Sequence, residues 1–398
     1  MDTEGVIKQW RKLLPRHSGL KHVLALQERH QQHLDCLFDI DNSVIEVDIK
    51  DYDVNFEDLA ASPNKSLELF RAKNKAHRLE GFLRDGVFIG NTLKTWSNGS
   101  KELFFMKSGV KHGFSVSYDK NLRLKWFGLF RNGRREGTWW EFLENDCGCF
   151  VHYFKDDQSE NQKIFLYPNY RIGYQGHFEG HNMMEAYLIQ VTGIGMDSGV
   201  LLPLVKTTCP APAKLLNGIN IDPLVSDPLE SQMVEVNLSS IPGAEEGLFA
   251  KRSFEPGDLV AYFNGIRIKV DEAQPSDYAL YLEEGWILDI PEDLRSLSKY
   301  KATLGHKVCH SFEANAEYSH GFHPKYGNIR IILATLKITK GQEIFCNYKY
   351  SWAKSPEWYK ASLMAYLRTK GKSEEKIKQV ILNLESDKTQ TRRYDQVT

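Results

Sequence analysis

The 398-residue sequence predicts a mainly β chain with some α: a run of antiparallel β-hairpins, then a domain of short strands, then closing helices. Three observations predict it. A glycine-centred turn recurs every 23 or 24 residues after about residue 80. Beyond residue 231, short alternating apolar runs are punctuated by Gly and Pro, which reads as strands and tight turns. Apolar residues at helical spacing occur only towards the two ends.

Residues 1–75 are expected to be helical. Val6, Trp10, Leu13 and Leu14 lie at helical spacing before Pro15 interrupts, and a second run covers 20–38. Both read as packing helices, because a membrane-surface helix would show a cleaner basic face. Residues 76–190 hold the hairpins. "RDGVFIG" places Gly86 and Gly90, "KSGVKHG" Gly109 and Gly113, and "RNGRREG" Gly133 and Gly137. Weaker copies keep the phase at Asp157 and Gly180, and Leu83, Met106, Phe130, Phe154 and His177 sit three residues before each turn. Asp-Gly, Ser-Gly and Asn-Gly tips reach the left-handed conformation that a tight hairpin needs. The flanking aromatics stack one hairpin on the next, since no single hairpin buries its own face. The proline-rich stretch 191–230 reads as a connector. Strands then fill 231–353, among them "NIRIILATLKI" and "EIFCNYKY". In 354–398, Ser355 and Pro356 open a helix that Gly371 ends, and Ile377, Val380, Ile381 and Leu384 mark one face of another.

The formal net charge is −1, so no global field draws the chain to nucleic acid or to an anionic membrane surface. No run of about 18 apolar residues suggests a membrane span, and the first thirty residues carry no signal-peptide apolar core. Six cysteines lie scattered without a zinc-site spacing, so no metal is expected. Free thiols of this kind fit the nucleus or the cytoplasm.

The stretch "LGHKVCHSFEANAEY", 304–318, is where chemistry is concentrated. Cys309 beside His310 is compatible with a nucleophile pair, a metal site, part of a cofactor pocket, or no chemical role at all. Neighbours on a strand point to opposite faces, which disfavours the nucleophile pair. The wider context adds "AEEGLFA" (244–250), "FNGIRI" (263–268), "HPKYG" (323–327), "EIFCNYKY" (343–350) and "PEWY" (356–359). In this order and spacing they resemble the SET-domain protein lysine methyltransferases. The hairpin run resembles MORN repeats, which narrows the likeness to the seven-nine type with N-terminal MORN repeats, over roughly residues 80–370.

The resemblance implies a SET fold of small, pseudoknotted β-sheets and S-adenosylmethionine as cofactor. Ala244, Glu245 and Glu246 match the turn that offers backbone groups to the cofactor. Lys307 matches a cation against its carboxylate, His310 the backbone that holds adenine, and Trp358 an aromatic cover. Tyr318, Tyr348 and Tyr350 match a lysine channel, with Tyr348 at the catalytic phenol. Two positions depart from the family. Cys309 stands where the family has asparagine, whose amide hydrogen-bonds the cofactor, and a thiol does so only weakly. Phe263 stands where a channel tyrosine is usual, removing one restraint on the amine. The stretch "DYALYLEEGWILDI" is also shorter than the family pattern, and the resemblance implies that a polar cofactor contact is missing there and that a segment holding the peptide differs. The implied partner is a protein lysine, in a histone H3 tail or another protein, and the chain is expected to be a monomer. The alternative is a weak or inactive SET protein that serves as a binding module.

Overall fold

A computed structural model describes residues 44–48, 67–73, 75–84, 87–121, 123–197, 200–212, 215–216, 219–220, 222–274, 276–350, 352 and 355–386. The chain forms two compact units, Met1–Leu143 with Gly148–Pro212, and Glu144–Cys147 with Ala213–Thr398.

The first unit is a 14-stranded sheet whose strands neighbour one another almost wholly in chain order. After a parallel pair, Val44–Asp48 on Leu67–Lys73, the neighbours are antiparallel. At three hairpin tips both central residues have positive φ: Ser108 (52°) and Gly109 (79°), Asn132 (51°) and Gly133 (82°), and Asp156 (51°) and Asp157 (67°). That backbone twist matches the twist of the flanking strands. Each tip also donates to the carbonyl two residues past the preceding tip: Gly109 to Phe88 (3.1 Å), Gly133 to Lys111 (2.8 Å) and Asp157 to Arg135 (3.0 Å). This inter-hairpin bond sets the 23–24-residue period. It survives at Asp156–Asp157 because Asp tolerates the left-handed region, and because Asp157 Oδ1 accepts from Arg135 N at 2.8 Å. A Cβ at Gly128 would come within 2.3 Å of Trp139, so glycine there lets the indole lie on the neighbouring strand. Trp140, Phe127, Cys149, Val151, Leu166 and Ile189 form the core beneath.

Two expectations are corrected. Residues 191–197 and 200–212 are not connector but strand: Asn182–Asp197 pairs antiparallel with Val200–Pro212. Pro203, Pro210 and Pro212 hid the pattern, yet their strand ends the sheet, where proline is tolerated. The region 1–75 contains the strands Val44–Asp48 and Leu67–Lys73 rather than helix alone. The helices expected over 6–14 and 20–38, the Gly86 tip and the side chain of Leu83 lie outside the described residues.

In the second unit, a seven-stranded sheet runs Val234–Leu238, Glu246–Ala250, Glu343–Cys346, Ala316–His323, Gly327–Ala334, Leu259–Phe263, with Cys309–His310 parallel to Glu343–Cys346. Ile266–Lys269, Trp286–Asp289 and Leu280–Glu283 form a separate three-stranded sheet. The run "LVAYF" at Leu259–Phe263 is buried at every residue, as its unbroken apolar character requires. Gly305 crosses this strand so closely that a Cβ would lie 2.6 Å from the Tyr262 carbonyl. Buried Glu230 clamps the same crossing, accepting from Tyr262 N (2.7 Å) and Leu304 N (2.9 Å). Asn315 clamps another: its Nδ2 donates to Glu343 O (2.9 Å) and its Oδ1 accepts from Phe345 N (2.8 Å).

Helices Glu357–Thr369 and Glu374–Ser386 close the unit. Pro356, not Ser355, occupies the N-cap position, and Ser355 Oγ donates instead to Trp352 O at 2.9 Å. Gly371, at φ 70°, ends the first helix as expected.

Candidate active site

Lys307 ends a short 3₁₀ turn, Gly305–Lys307, that leads into Cys309–His310. Its Nζ is buried and donates to Glu246 Oε2 at 2.5 Å and to the Arg295 carbonyl at 2.7 Å. Cys309 Sγ donates to the Glu246 carbonyl at 3.2 Å, and burial raises its pKa, so it stays a thiol. Ala244 and Glu245 precede Glu246 in the turn that enters the strand Glu246–Ala250.

His310 Nδ1 accepts from Tyr348 N at 3.1 Å, which assigns the ring proton to Nε2. Burial pulls its pKa down to about 4, so the ring is neutral at physiological pH. Buried Nε2 has no hydrogen-bond partner among the described residues. Phe312, Tyr359, Tyr348 and Trp358 surround this imidazole, with ring centroids 4.5, 4.8, 5.2 and 5.8 Å away. Trp358 is 46% exposed, an unusual position for a tryptophan held by packing alone.

The channel residues form a continuous aromatic path. Phe263 meets Tyr318 edge-on at 6.1 Å, Tyr318 lies 6.3 Å from Tyr348, Tyr348 lies 5.9 Å from Tyr350, and Tyr350 lies 6.0 Å from Trp358. Tyr348 OH donates to the Val308 carbonyl at 2.6 Å. Burial pushes Tyr318 and Tyr348 well above the ordinary phenol range, and Tyr350 up to about 12. All three are therefore neutral phenols near pH 7, suited to orienting an amine and not to acting as phenolate bases. Lys349 turns the chain between Tyr348 and Tyr350 in the left-handed region (φ 53°), its N–H held by Asn347 Oδ1 at 2.9 Å. Such a conformation costs about 1–3 kcal/mol in a non-glycine residue.

The structure thus brings Glu246, Lys307, Cys309 and His310 into one cluster and Phe263, Tyr318, Tyr348, Tyr350 and Trp358 into another, joined through Tyr348. Cys309 and His310 do not pair as nucleophile and base, since each is bonded elsewhere. Among the described residues no group of His, Cys, Asp and Glu has metal-binding geometry. Sequence reasoning missed Glu230, Asn315 and Tyr359. Asn315 and Tyr359 stand inside the quoted motifs "EANAEY" and "PEWY", whereas Glu230 had no signal beyond its place before the first strand.

Residues 245–349 match the SET domain family. The histone-lysine N-methyltransferase SETD7 of Halocynthia roretzi is 30% identical over 285 residues, covering 64% of this chain and 71% of that protein. The chain belongs to the SETD7 family of SET-domain methyltransferases. Among solved structures, "ctPRC2 in an autoinhibited conformation bound to S-adenosylmethionine" is 21% identical with a TM-score of 0.24, covering 29% of this chain and 15% of that one. An active polycomb repressive complex 2 in the basal state is 24% identical with a TM-score of 0.25, covering 30% of this chain and 16% of that one. This chain therefore spans only a small part of those chains' length.

S-adenosylmethionine is the cofactor of SET-domain methyltransferases, and lysine methylation is the SETD7 family's reaction. The residues present fit the cofactor. The buried Nε2–H of His310 has no internal acceptor, Lys307 presents a buried cation, and Trp358 presents an exposed aromatic face beside them.

Proposed function

We propose that this protein transfers a methyl group from S-adenosylmethionine to the ε-amine of a lysine in a basic protein segment, a histone H3 tail or a segment of another protein. The observation that carries the proposal is the unbroken aromatic path from Phe263 through Tyr318, Tyr348 and Tyr350 to Trp358, running up to the cluster around Lys307 and His310. When bound, the cofactor supplies an electrophilic methyl on a sulfonium. The protein must then present a neutral, dehydrated amine in line with it. Phe263, Tyr318 and Tyr350 line a route that excludes water. Tyr348, whose own proton is engaged by the Val308 carbonyl, keeps oxygen lone pairs free to accept from the amine. Phe263 in place of a hydroxyl leaves room at the amine, so methylation is not held strictly to one methyl.

Hairpin length, the Gly-centred tips and the bonds between successive tips support a MORN-type array that serves chiefly as structural support. The five described cysteines are free thiols, which supports residence in the nucleus or the cytoplasm. We assign a monomer.

Cys309 favours a second reading, a cofactor-weak SET protein that works as a binding module. Its S–H is spent on the Glu246 carbonyl and is unavailable to the cofactor. The deciding experiment is radiolabelled methyl transfer into a cell lysate by wild type and Tyr348→Phe. Label that disappears in the variant supports the enzyme, and absence of label with wild type supports the binding module. A gain in Cys309→Asn would identify that position as the limiting one.

A further inference from the structure

Tyr348 and Tyr350 stand two residues apart, yet they are fixed by different means. Tyr348 is tied at both ends to the segment 308–310: its N–H donates to His310 Nδ1 at 3.1 Å and its hydroxyl to the Val308 carbonyl at 2.6 Å. No group among the described residues bonds the Tyr350 hydroxyl. Its ring is set by packing, edge-on to Tyr359 at 5.2 Å and to Trp358 at 6.0 Å, and by the backbone that delivers it. In an extended strand, residues i and i+2 project side by side from one face. Here the two tyrosine rings lie 5.9 Å apart at 75° to each other. The residue between them has left the extended region, with Lys349 at φ 53°. Lysine is not among the residues that reach this region readily, which are glycine, asparagine and aspartate. The conformation is held from two residues back: Asn347 Oδ1 accepts from Lys349 N at 2.9 Å. This is an Asx turn, in which a side-chain oxygen stands in for a backbone carbonyl.

We propose that Asn347 is a positioning residue for methyl transfer: by holding Lys349 in the left-handed conformation, its side-chain carbonyl aims the Tyr350 hydroxyl into the lysine channel. This rests on the methyltransferase reading given above and adds a residue that acts only through Tyr350. Two features of the segment place the control in the backbone. Asn347 follows directly on the strand Glu343–Cys346, so the turn begins where the ladder hydrogen bonds end. Lys349 is exposed, so packing of its own side chain contributes little to holding the turn.

The test is a set of double-mutant cycles on the full chain, read by radiolabelled methyl transfer into a cell lysate and by thermal melting. Asn347→Ala removes the acceptor and is expected to lower transfer by about threefold to tenfold, the net worth of one hydrogen bond. In a Lys349→Gly background the same change should cost less than about twofold, because glycine takes positive φ without help. In a Lys349→Ala background the loss should persist, since that variant removes the charge but keeps the Cβ. In a Tyr350→Phe background, with no hydroxyl left to aim, Asn347→Ala should again cost less than about twofold in transfer. The melting temperature follows the turn alone, so Asn347→Ala should lower it in every background except Lys349→Gly. No loss of transfer from Asn347→Ala alone, an equal loss in the Lys349→Gly background, or an equal loss in the Tyr350→Phe background each overturns the proposal. If wild type transfers no label, the enzyme reading fails and the positioning role with it. If wild type transfers label and the losses do not follow this pattern, only the role of Asn347 fails.

Discussion

Replacing Glu230 by alanine removes the acceptor for two buried backbone donors at once. Tyr262 N and Leu304 N, at 2.7 and 2.9 Å, point at its two carboxylate oxygens, and no water-facing surface lies nearby, because Glu230 is 1% exposed. Each donor left unsatisfied costs about 1–3 kcal/mol, so the variant should lose about 2–6 kcal/mol, a large fraction of a domain's stability. Burial, and then the neighbouring Asp227, push the Glu230 carboxyl well above its ordinary range, while the two N–H groups pull it back. A neutral isostere is therefore informative. Glu230→Gln retains one acceptor, sets an NH₂ against the other donor, and should cost about half as much. Urea titration followed by tryptophan fluorescence measures both. Tyr262 precedes Phe263, and Leu304 opens the turn that carries Lys307, so cofactor affinity should fall along with stability. A loss below about 0.5 kcal/mol in Glu230→Ala would refute the clamp, because that is the range of an ordinary surface substitution.

Tyr348→Phe frees the carbonyl of Val308, itself 1% exposed, and should lower stability by about 1–3 kcal/mol while removing methyl transfer; an unchanged melting temperature would mean that the 2.6 Å bond is not made. His310, pulled down to about 4, binds fewer protons folded than unfolded between about pH 4 and its ordinary 6.5. Stability should thus be lost as pH falls through that window, by about 3 kcal/mol from this group, and His310→Phe should flatten the profile of the urea midpoint between pH 7 and pH 4. Gly133→Ala forces a Cβ onto φ 82° and should cost about 1–2 kcal/mol, read by thermal melting; a neutral result would refute the left-handed tip.

Much of this architecture was legible in the sequence for definite reasons. A left-handed tip needs Gly, Asn or Asp, so the hairpin phase was readable as far as Gly180. It ceased to be readable at the strand Val200–Pro212, where prolines on an edge strand mimic a connector. The channel tyrosines were found because they stand at fixed places in motifs. Their neutral state was not, since it follows from burial that only the folded chain reveals. Glu230 was illegible for a similar reason: a carboxylate followed by Ser231 and Gln232 reads as surface until two distant N–H groups converge on it. Cys309 was singled out as a departure, but its bond to the Glu246 carbonyl depends on a crossing between segments 63 residues apart.

Lys307, His310 and Trp358 are proposed to form a working S-adenosylmethionine pocket beside a lysine channel. Isothermal titration of the full chain with S-adenosylmethionine tests it most directly. Saturable one-to-one binding that is lost in Lys307→Met is the predicted result, and no detectable heat at millimolar cofactor would contradict it.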